Sequence, residues 1–319
     1  MKDFDRLMRY IDVKRMKGGL FMKKLAALLL TLMMLISLCL AEEPETYTWY
    51  AWEYKLTNEG AVLTNWYYGD VLVEQPTVVE VPAELDGHPL VGIGYNALNT
   101  YEMDSEISFT LVIPEGVLWL SDDVFQCCHN ADEIHFPASL TEIPEGCFIH
   151  VDAEITVAEG NPRYMVQDGF LIDTLTNTLL YTAPSATGKP LPSVRRLGTG
   201  CTENWVTGWG EMDVVIPEGV EEIATYAFYD WEANSLALPE SLQLIESQAF
   251  EAFGVVDLPI VIPASVEEVQ YGAFGLTYQF GEWGLYETPD MIIELGESTH
   301  YETYEEYVAR TGDDSFEIE

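Results

Sequence analysis

Short aliphatic runs that end at a proline recur along the chain, and each is followed by apolar residues at fixed spacing. Counted from the proline, an aliphatic residue lies at +3 and +6, a small or aliphatic residue at +10, and phenylalanine at +11. The five clear copies are LVIPEGVLWLSDDVF (111–125), IHFPASLTEIPEGCF (134–148), VVIPEGVEEIATYAF (214–228), LALPESLQLIESQAF (236–250) and IVIPASVEEVQYGAF (260–274). Because proline has no N–H to give to a β-ladder, the pattern predicts a very short strand that ends at each proline.

The copies are spaced like the units of a repeat protein. Their prolines are separated by 23, 80, 22 and 24 residues, and the longest gap contains an insertion and a degenerate copy, LPSVRRLGTGC (191–201). A divergent copy, VEVPAELDGHPLVGIGYNAL (79–98), comes first and brings the number to seven. This period, with one short strand per copy, is typical of leucine-rich-repeat solenoids. We therefore expect a mainly β fold, a right-handed solenoid in which the short strands of successive coils stack in parallel.

The sequence around the repeats predicts two caps and one insertion. The predicted segments are an N-terminal β cap (42–77), the solenoid (78–300), a β-hairpin insertion near 155–184 and a C-terminal cap (301–319). The N-terminal cap alternates aromatic and polar side chains around a turn at Asn58-Glu59-Gly60, which favours antiparallel strands. In the C-terminal cap we expect a short helix at about 301–310, a stop at Gly312 and a final strand.

The start of the chain has the composition of a secretory leader. Residues 22–41, MKKLAALLLTLMMLISLCLA, combine two lysines, an apolar stretch and a small residue before Glu42, which predicts a signal peptide cleaved after Ala41. An uncleaved membrane anchor is the alternative, because the apolar run is nearly long enough to span a bilayer. We interpret residues 1–21 as a mis-assigned upstream extension of a bacterial protein that begins at Met22. These features predict a chain that is secreted or held at the cell surface, with no membrane insertion after cleavage.

The charge of the chain narrows the classes of partner. Of the 14 Lys and Arg residues, eight lie at or before Lys24, and of the 54 Asp and Glu residues only three do. The chain after Ala41 therefore carries six basic and 51 acidic side chains, a net charge of −45. Such a chain repels nucleic acid and anionic lipid, so we expect it to bind neither.

The repeated motif resembles the BspA-type leucine-rich repeat of bacterial surface and secreted proteins. The shared pattern is I-P-x-x-V-x-x-I-x-x-x-A-F, and the insertion resembles that family's N-P-x-Y…D-G-x-L…L-L-x-Y-x-x-P unit. The matching residues of the insertion are Asn161, Pro162, Tyr164, Asp168, Gly169, Leu171, Leu179, Leu180, Tyr181 and Pro184. The resemblance covers roughly residues 47–319 and implies adhesion to host matrix proteins or bacterial co-aggregation. The family often has Cys or Asn three positions after the phenylalanine. Cys128 fits this pattern, but most copies have another residue there, such as Val151 or Thr277.

The sequence contains no pattern typical of an enzyme. The five histidines are scattered, no nucleophile or phosphate-binding motif is present, and carboxylate pairs are too common to single one out. We expect no catalytic residue, metal site or cofactor. The four cysteines after Ala41 have no metal-ligand spacing, so buried thiols are expected, with one disulfide as the alternative.

The candidate ligand-binding residues are the outward positions of the predicted strands. On the concave face of a solenoid they would form a row: Glu80, Val112, His135, Thr156, Val215, Ala237 and Val261. A protein or glycoprotein at the cell surface is the expected partner of this row. The alternatives are an envelope scaffold without a dedicated ligand, or a carbohydrate-binding protein. The carbohydrate-binding alternative would use loop aromatics, namely Trp205, Trp209, Trp231, Phe280, Trp283 and Tyr286.

Overall fold

The computed structural model describes 11 stretches of the chain. They are residues 46–49, 51–67, 77–100, 107–125, 128–202, 213–229, 232–251, 254–255, 260–274, 293–294 and 299–313. The predicted upstream extension (1–21) and signal peptide (22–41) lie outside these residues, and so do Cys127 and the six loop aromatics. No helix in the described part of the chain combines the length and apolar character needed to cross a bilayer.

The fold is mainly β, with 24 short strands and one α-helix among the described residues. The strands up to residue 136 are β1 (Thr46–Trp49), β2 (Trp52–Leu56), β3 (Ala61–Trp66), β4 (Thr77–Glu80), β5 (Glu84–Leu85), β6 (His88–Ile93), β7 (Phe109–Val112), β8 (Trp119–Leu120) and β9 (Ala131–Phe136). The next seven are β10 (Glu154–Val157), β11 (Tyr164–Gln167), β12 (Phe170–Asp173), β13 (Thr178–Thr182), β14 (Arg196–Leu197), β15 (Asp213–Val215) and β16 (Glu222–Ile223). The last elements are β17 (Glu232–Ala233), β18 (Ser235–Ala237), β19 (Leu244–Ile245), β20 (Gly254–Val255), β21 (Ile260–Val261), β22 (Glu268–Val269), β23 (Ile293–Glu294), β24 (His300–Tyr301) and the helix α1 (Tyr304–Thr311).

The strands that precede the prolines pair in parallel, repeat to repeat. In the first half of the molecule β4, β7, β9 and β10 form one four-stranded sheet in that order. In the second half β15 pairs with β18, and β21 pairs with β23. Strands β7, β15 and β21 alternate buried and more exposed side chains, as a half-buried strand must.

The prediction of one short strand per repeat is wrong. A second strand follows most of the prolines, and β14, β16, β19, β22 and β24 pair in parallel as part of an eight-stranded sheet. After Pro137 a single bridge residue, Glu142, takes this place. The two-residue strand Glu222–Ile223 shows why: its isoleucine is the +6 residue of the motif, buried in the core, and its neighbour points outward. A strand of two residues is too short to produce a visible alternation of side chains in the sequence.

The segment predicted as a hairpin insertion is part of the same eight-stranded sheet. Strands β11, β12 and β13 pair antiparallel in sequence order, and β13 then pairs in parallel with β14. Asp168 and Gly169 form the turn between β11 and β12, both with positive φ. Asp173, which is almost fully buried, receives two hydrogen bonds from the Arg163 guanidinium, at 3.0 and 2.8 Å, and so closes the base of this unit.

The phenylalanines at +11 stack inside the molecule. The rings of Phe228, Phe250 and Phe274 lie 5.1 and 5.0 Å apart at interplanar angles of 4° and 3°. Phe125 and Phe148 stack in the first half, at 5.7 Å and 19°. All five are buried, as are the aliphatic residues at +3 and +6. The motif therefore places two aliphatic side chains and one phenylalanine of each clear copy in the core.

The two ends have different structures. At the N-terminal end β1, β2 and β3 form an antiparallel meander, and β3 pairs in parallel with β6. At the C-terminal end α1 begins at a capping box, in which the Thr303 hydroxyl accepts from the Glu306 N–H and the Glu306 carboxylate accepts from the Thr303 N–H. The helix ends at Gly312, with φ 74°, the left-handed conformation that glycine adopts readily. The predicted final strand lies beyond the described residues.

Candidate binding surface

The outward strand positions predicted from the sequence lie side by side in the sheets. Glu80 is in register with Val112, Val112 with His135, and His135 with Thr156. Val215 is in register with Ala237, and Val261 with Glu294. We call the seven predicted residues the strand-face row: Glu80, Val112, His135, Thr156, Val215, Ala237 and Val261. No ligand-binding role for the row follows from this register alone.

The strand-face row includes aliphatic side chains that face solvent. The side chains of Val215 and Val261 are 60% and 57% exposed, although both are large aliphatic groups that would gain by burial. Val78, which directly precedes the core residue Val79 in β4, is also 60% exposed. Exposed aliphatic side chains of this kind are candidates for contact with another macromolecule.

Acidic side chains accompany these valines. The Glu133 carboxylate accepts a hydrogen bond from Nε2 of His135 at 2.9 Å. Glu154, beside Thr156, accepts from the Ser185 N–H and hydroxyl at 2.7 and 2.8 Å. Asp213, two residues before Val215, accepts from the Ser235 hydroxyl at 2.8 Å. The exposed side of the strands thus combines aliphatic groups with negative charge.

The turns that follow the prolines fix the position of the row. In the repeat of Pro137 the Ser139 hydroxyl accepts from the Gly116 N–H of the preceding repeat at 2.9 Å and donates to the Val117 carbonyl. In the repeat of Pro239 the Ser241 hydroxyl does the same with Gly219 and Val220, at 2.9 and 2.8 Å. Gly116 and Gly219 have φ of 104° and 102°, a conformation that L side chains rarely adopt.

The residue at +1 adds a second link between repeats. The Glu115 carboxylate accepts from the Ala138 and Ser139 N–H groups of the next repeat, at 2.8 and 3.1 Å. Glu218 accepts in the same way from the Glu240 N–H at 3.1 Å. The sequence pattern of Pro-Glu-Gly followed by Pro-Ala-Ser or Pro-Glu-Ser is therefore a set of hydrogen bonds between repeats.

Most of the described basic side chains form ion pairs with carboxylates of the same chain. Arg196 contacts three carboxylates from three repeats: Glu145 and Glu222 at 3.0 Å and Glu246 at 2.8 Å. Burial disfavours its charged form, but these carboxylates raise the pKa of Arg196 above its usual value. Arg310 contacts Glu302 at 2.7 Å in the same manner. The arginines are thereby unavailable to offset the negative charge of the exposed strands.

The described cysteines are buried thiols, as predicted. Cys128, Cys147 and Cys201 are free and fully enclosed in the core. Burial raises the pKa of each thiol, that of Cys128 to about 12, so the three stay protonated at neutral pH and are poor nucleophiles. Within the described residues, no three His, Cys, Asp or Glu side chains are grouped as metal ligands would be.

Comparison with known proteins identifies the family of the repeats. The model of the BspA type leucine rich repeat region matches residues 94–170 and 212–304, in six copies. A search of curated proteins found no match.

Several solved structures are similar in fold to this chain. The pneumococcal vaccine antigen PcpA is 14% identical, with 82% of this chain and 88% of that chain covered and a TM-score of 0.39. A leucine-rich repeat protein from Eubacterium ventriosum is 13% identical, covering 76% and 97%, with a TM-score of 0.31. A leucine rich cell surface protein from Faecalibacterium prausnitzii is 14% identical, covering 74% and 87%, with a TM-score of 0.27. With the repeats matched over more than half of its length, the chain belongs to the BspA type leucine rich repeat family.

Proposed function

We propose that this chain is a non-enzymatic bacterial protein, secreted or held at the cell surface, that binds a protein or glycoprotein through the strand-face row. The repeats would stack as a right-handed solenoid, closed by the N-terminal meander and the C-terminal helix. The mature chain would begin at Glu42 after removal of the signal peptide. The observation that carries the proposal is the exposure of aliphatic row residues on the strands, Val215 at 60% and Val261 at 57%, with the Asp213 carboxylate two residues before Val215.

The chemistry of the row favours a protein partner. Exposed valines on a flat strand surface gain free energy when another protein covers them, about 25 cal/mol per Å² of apolar area. Carboxylates around them select a partner of opposite charge and increase the rate of association. Repeat proteins of this kind present extended surfaces made of one small contribution per repeat. Affinity would then be spread over several repeats, with the valines as the buried centre.

The test is capture of a saturable partner by the full chain from bacterial surface and host matrix extracts. The variant with Thr156→Lys and Val261→Lys changes two row positions in different repeats. It should weaken binding at least tenfold, which corresponds to about 1.4 kcal/mol. The matched control is Leu175→Lys, because Leu175 is 77% exposed but lies in the turn between β12 and β13, away from the row. Equal binding by both variants, or no saturable partner, would contradict the proposal. The mass of the chain recovered from the medium tests cleavage before Glu42.

A further inference from the structure

The ladder of proline-ended strands is interrupted between β10 and β15. The repeat between them passes through Gly188–Leu191 without forming a strand. The row position of this repeat, two residues before Pro192, is Pro190. A proline there has no N–H to donate to the preceding strand, which explains the interruption on that side.

The interruption also leaves the backbone of β15 unpaired on one side. The Ile216 N–H donates to the Ala237 carbonyl at 3.0 Å, so Val214 and Ile216 face β18. Because successive residues of a parallel strand bond to opposite neighbours, the N–H and C=O of Val215 face the segment 188–191.

Intact parts of the ladder show which bond is missing. There, the residue before the proline donates to the row residue of the next repeat, as in Val81 N–H to Val112 O and Ile113 N–H to His135 O, both at 3.0 Å. The equivalent bond from Leu191 to Val215 does not form, and no other described residue bonds to the Val215 main chain. The Lys189 N–H, which in an intact ladder would donate to the Asp213 carbonyl, donates instead to the Ala186 carbonyl at 3.0 Å.

A notch opens at this point on the exposed side of the strands. It has a volume of about 310 Å³ and is lined by Gly188–Leu191 on one side and by Asp213, Val215 and Pro217 on the other. This size is at the lower end of the range for ligand pockets, about 300–1,000 Å³. The lining residues are mainly aliphatic residues and prolines, and they include Val215, whose main chain faces the segment 188–191.

The notch has the properties of a site for an added strand. A strand edge with unpaired N–H and C=O groups binds another extended chain readily, and alternate side chains of that chain enter neighbouring pockets. Asp213 places a carboxylate at the rim. The ammonium of Lys189 donates to the Asp168 carbonyl at 3.0 Å, and the nearby Arg195 pairs with Glu221 and Glu222. In a chain with 51 acidic and six basic residues after Ala41, the potential at the rim favours a cation.

We propose that the notch binds an extended segment of a partner protein, which pairs with the Val215 main chain as an added strand and places a basic side chain beside Asp213. This inference rests on the proposed function and specifies one anchoring point for it. The segment would lie across the strand-face row where the row is interrupted, and its apolar side chains would cover Val215.

The experiment uses the full chain and a blocked peptide, acetyl-Val-Lys-Val-Lys-Val-amide. Hydrogen exchange at the Val215 amide should be fast in the protein alone and at least tenfold slower with the peptide. The same peptide with N-methylated valines lacks the main-chain donors, and the Val-Glu analogue has the opposite charge. Neither should slow the exchange. A Val215 amide that is already protected without peptide, or one that no peptide protects, overturns the proposal.

Variants separate the notch from the rest of the surface. Val215→Pro removes the N–H that faces the notch, on the side of an edge strand where proline is tolerated, and should weaken peptide binding at least tenfold. Leu175→Lys, in the turn between β12 and β13 and away from the row, is the control, and it should bind the peptide as the natural chain does. Asp213→Lys should reverse the preference toward the Val-Glu peptide without altering the main chain. Unchanged peptide affinity in Val215→Pro and Asp213→Lys would contradict the proposal.

Capture of the partner protein distinguishes the proposed role of the strand-face row from the proposed role of the notch. If Val215→Pro captures the partner as well as the natural chain, the notch is not the anchoring point, while the row remains the binding surface. If no partner is captured but the Val-Lys peptide protects the Val215 amide, the notch stands and the proposed function of the row fails.

Discussion

The repeats before and after the interruption at Pro190 are held together in different ways. Before it, β4, β7, β9 and β10 have four to six residues each and form one continuous ladder. After it, β15, β18 and β21 have only two or three residues, and the described strands pair only two by two. The aromatic rings show the opposite trend. Phe228, Phe250 and Phe274 stack almost parallel at about 5 Å, whereas Phe125 and Phe148 are 5.7 Å apart and tilted by 19°.

The difference teaches that a repeat protein can keep its register in more than one way. Where the main-chain ladder is long, hydrogen bonds align neighbouring repeats. Where it is short, side chains take over: the stacked phenylalanines, the Ser241 bridge, and a column of acceptors at +7. In that column Glu246 accepts from the Thr225 N–H at 3.2 Å and Gln270 from the Ser247 N–H at 3.1 Å. We therefore expect the second half to be more sensitive to side-chain substitution than the first.

The largest effect is expected from Phe250→Ala. The ring is fully buried between two others, and removing it should lower the free energy of unfolding by about 3–5 kcal/mol. Because repeats depend mainly on their neighbours, the loss should be local. Native-state hydrogen exchange should accelerate in β16, β19 and β22 while β7 and β9 stay protected. The control, Phe125→Ala, should accelerate exchange in the first half. A uniform acceleration over both halves in either variant would contradict the comparison.

The next effect depends on pH and concerns Glu302, a buried carboxylate at the C-terminal end. Burial raises its pKa, but the Arg310 guanidinium and the Tyr271 N–H at 2.9 Å outweigh this and leave the pKa below its usual value. A lowered pKa in the folded state stabilises the fold above the unfolded value, about 4.5, and this contribution disappears as the pH falls through the folded value. Glu302→Gln should therefore cost about 1.5–3 kcal/mol at pH 7 and progressively less below pH 4.5.

Asp173 provides the counterpart in the first half. Burial raises the pKa of Asp173, but Arg163 and the Leu175 N–H outweigh this effect. The pKa therefore lies below its usual value of 3.8. Asp173→Asn should show the same dependence on pH, shifted to lower pH. Urea titrations of both variants and the natural chain between pH 3 and 7 measure the effect. A penalty that stays constant over this range would rule out the charge as its cause.

A smaller effect is expected from the serines at +2. Ser241→Ala and Ser139→Ala each remove one bridge between repeats and should cost about 1 kcal/mol. The cost should be higher for Ser241, because β15 and β18 share only three residue pairs, whereas β7 and β9 share four. Thermal unfolding of the two variants side by side gives the difference. Equal costs would show that ladder length does not determine how much the side chains contribute.

The smallest effect is a gain in stability. Gln248 has φ of 58°, in the left-handed region that costs non-glycine residues about 1–2 kcal/mol. Gln248→Gly should recover about 0.5–1 kcal/mol of this, despite the loss of a side-chain hydrogen bond to Glu251. Asp123→Gly, at the equivalent position of the first half with φ of 50°, should gain less, since aspartate tolerates this conformation better. A loss of stability in Gln248→Gly would mean that its side-chain contacts outweigh the strain.

The sequence was sufficient for what depends on spacing. Prolines at regular intervals predicted strands that end there, and phenylalanine recurs at +11 in the same repeats, where it forms the stacked column seen from Phe228 to Phe274. The register of Val112 with His135 followed from the alternation of strand side chains. These features repeat with the same residue type, so one sequence contains several independent observations of each.

Features set by a single pair of residues could not be predicted in this way. The strand Glu222–Ile223 is too short to show a period, and the bridges of Ser241 and Glu115 require knowledge of which N–H lies across from them. The notch depends on Pro190, a residue in a copy too degenerate to align with certainty. The sequence placed Val215 in a row but gave no sign that its main chain is unpaired.

Arg196 has a consequence for how the molecule responds to ionic strength. Its guanidinium is mostly shielded from solvent and is coordinated by carboxylates from three repeats, while most other acids repel one another across open water. Added salt screens the exposed charges far more than the shielded ones. Added salt therefore reduces the mutual repulsion of the acidic surface and leaves the ion pairs of Arg196 nearly intact.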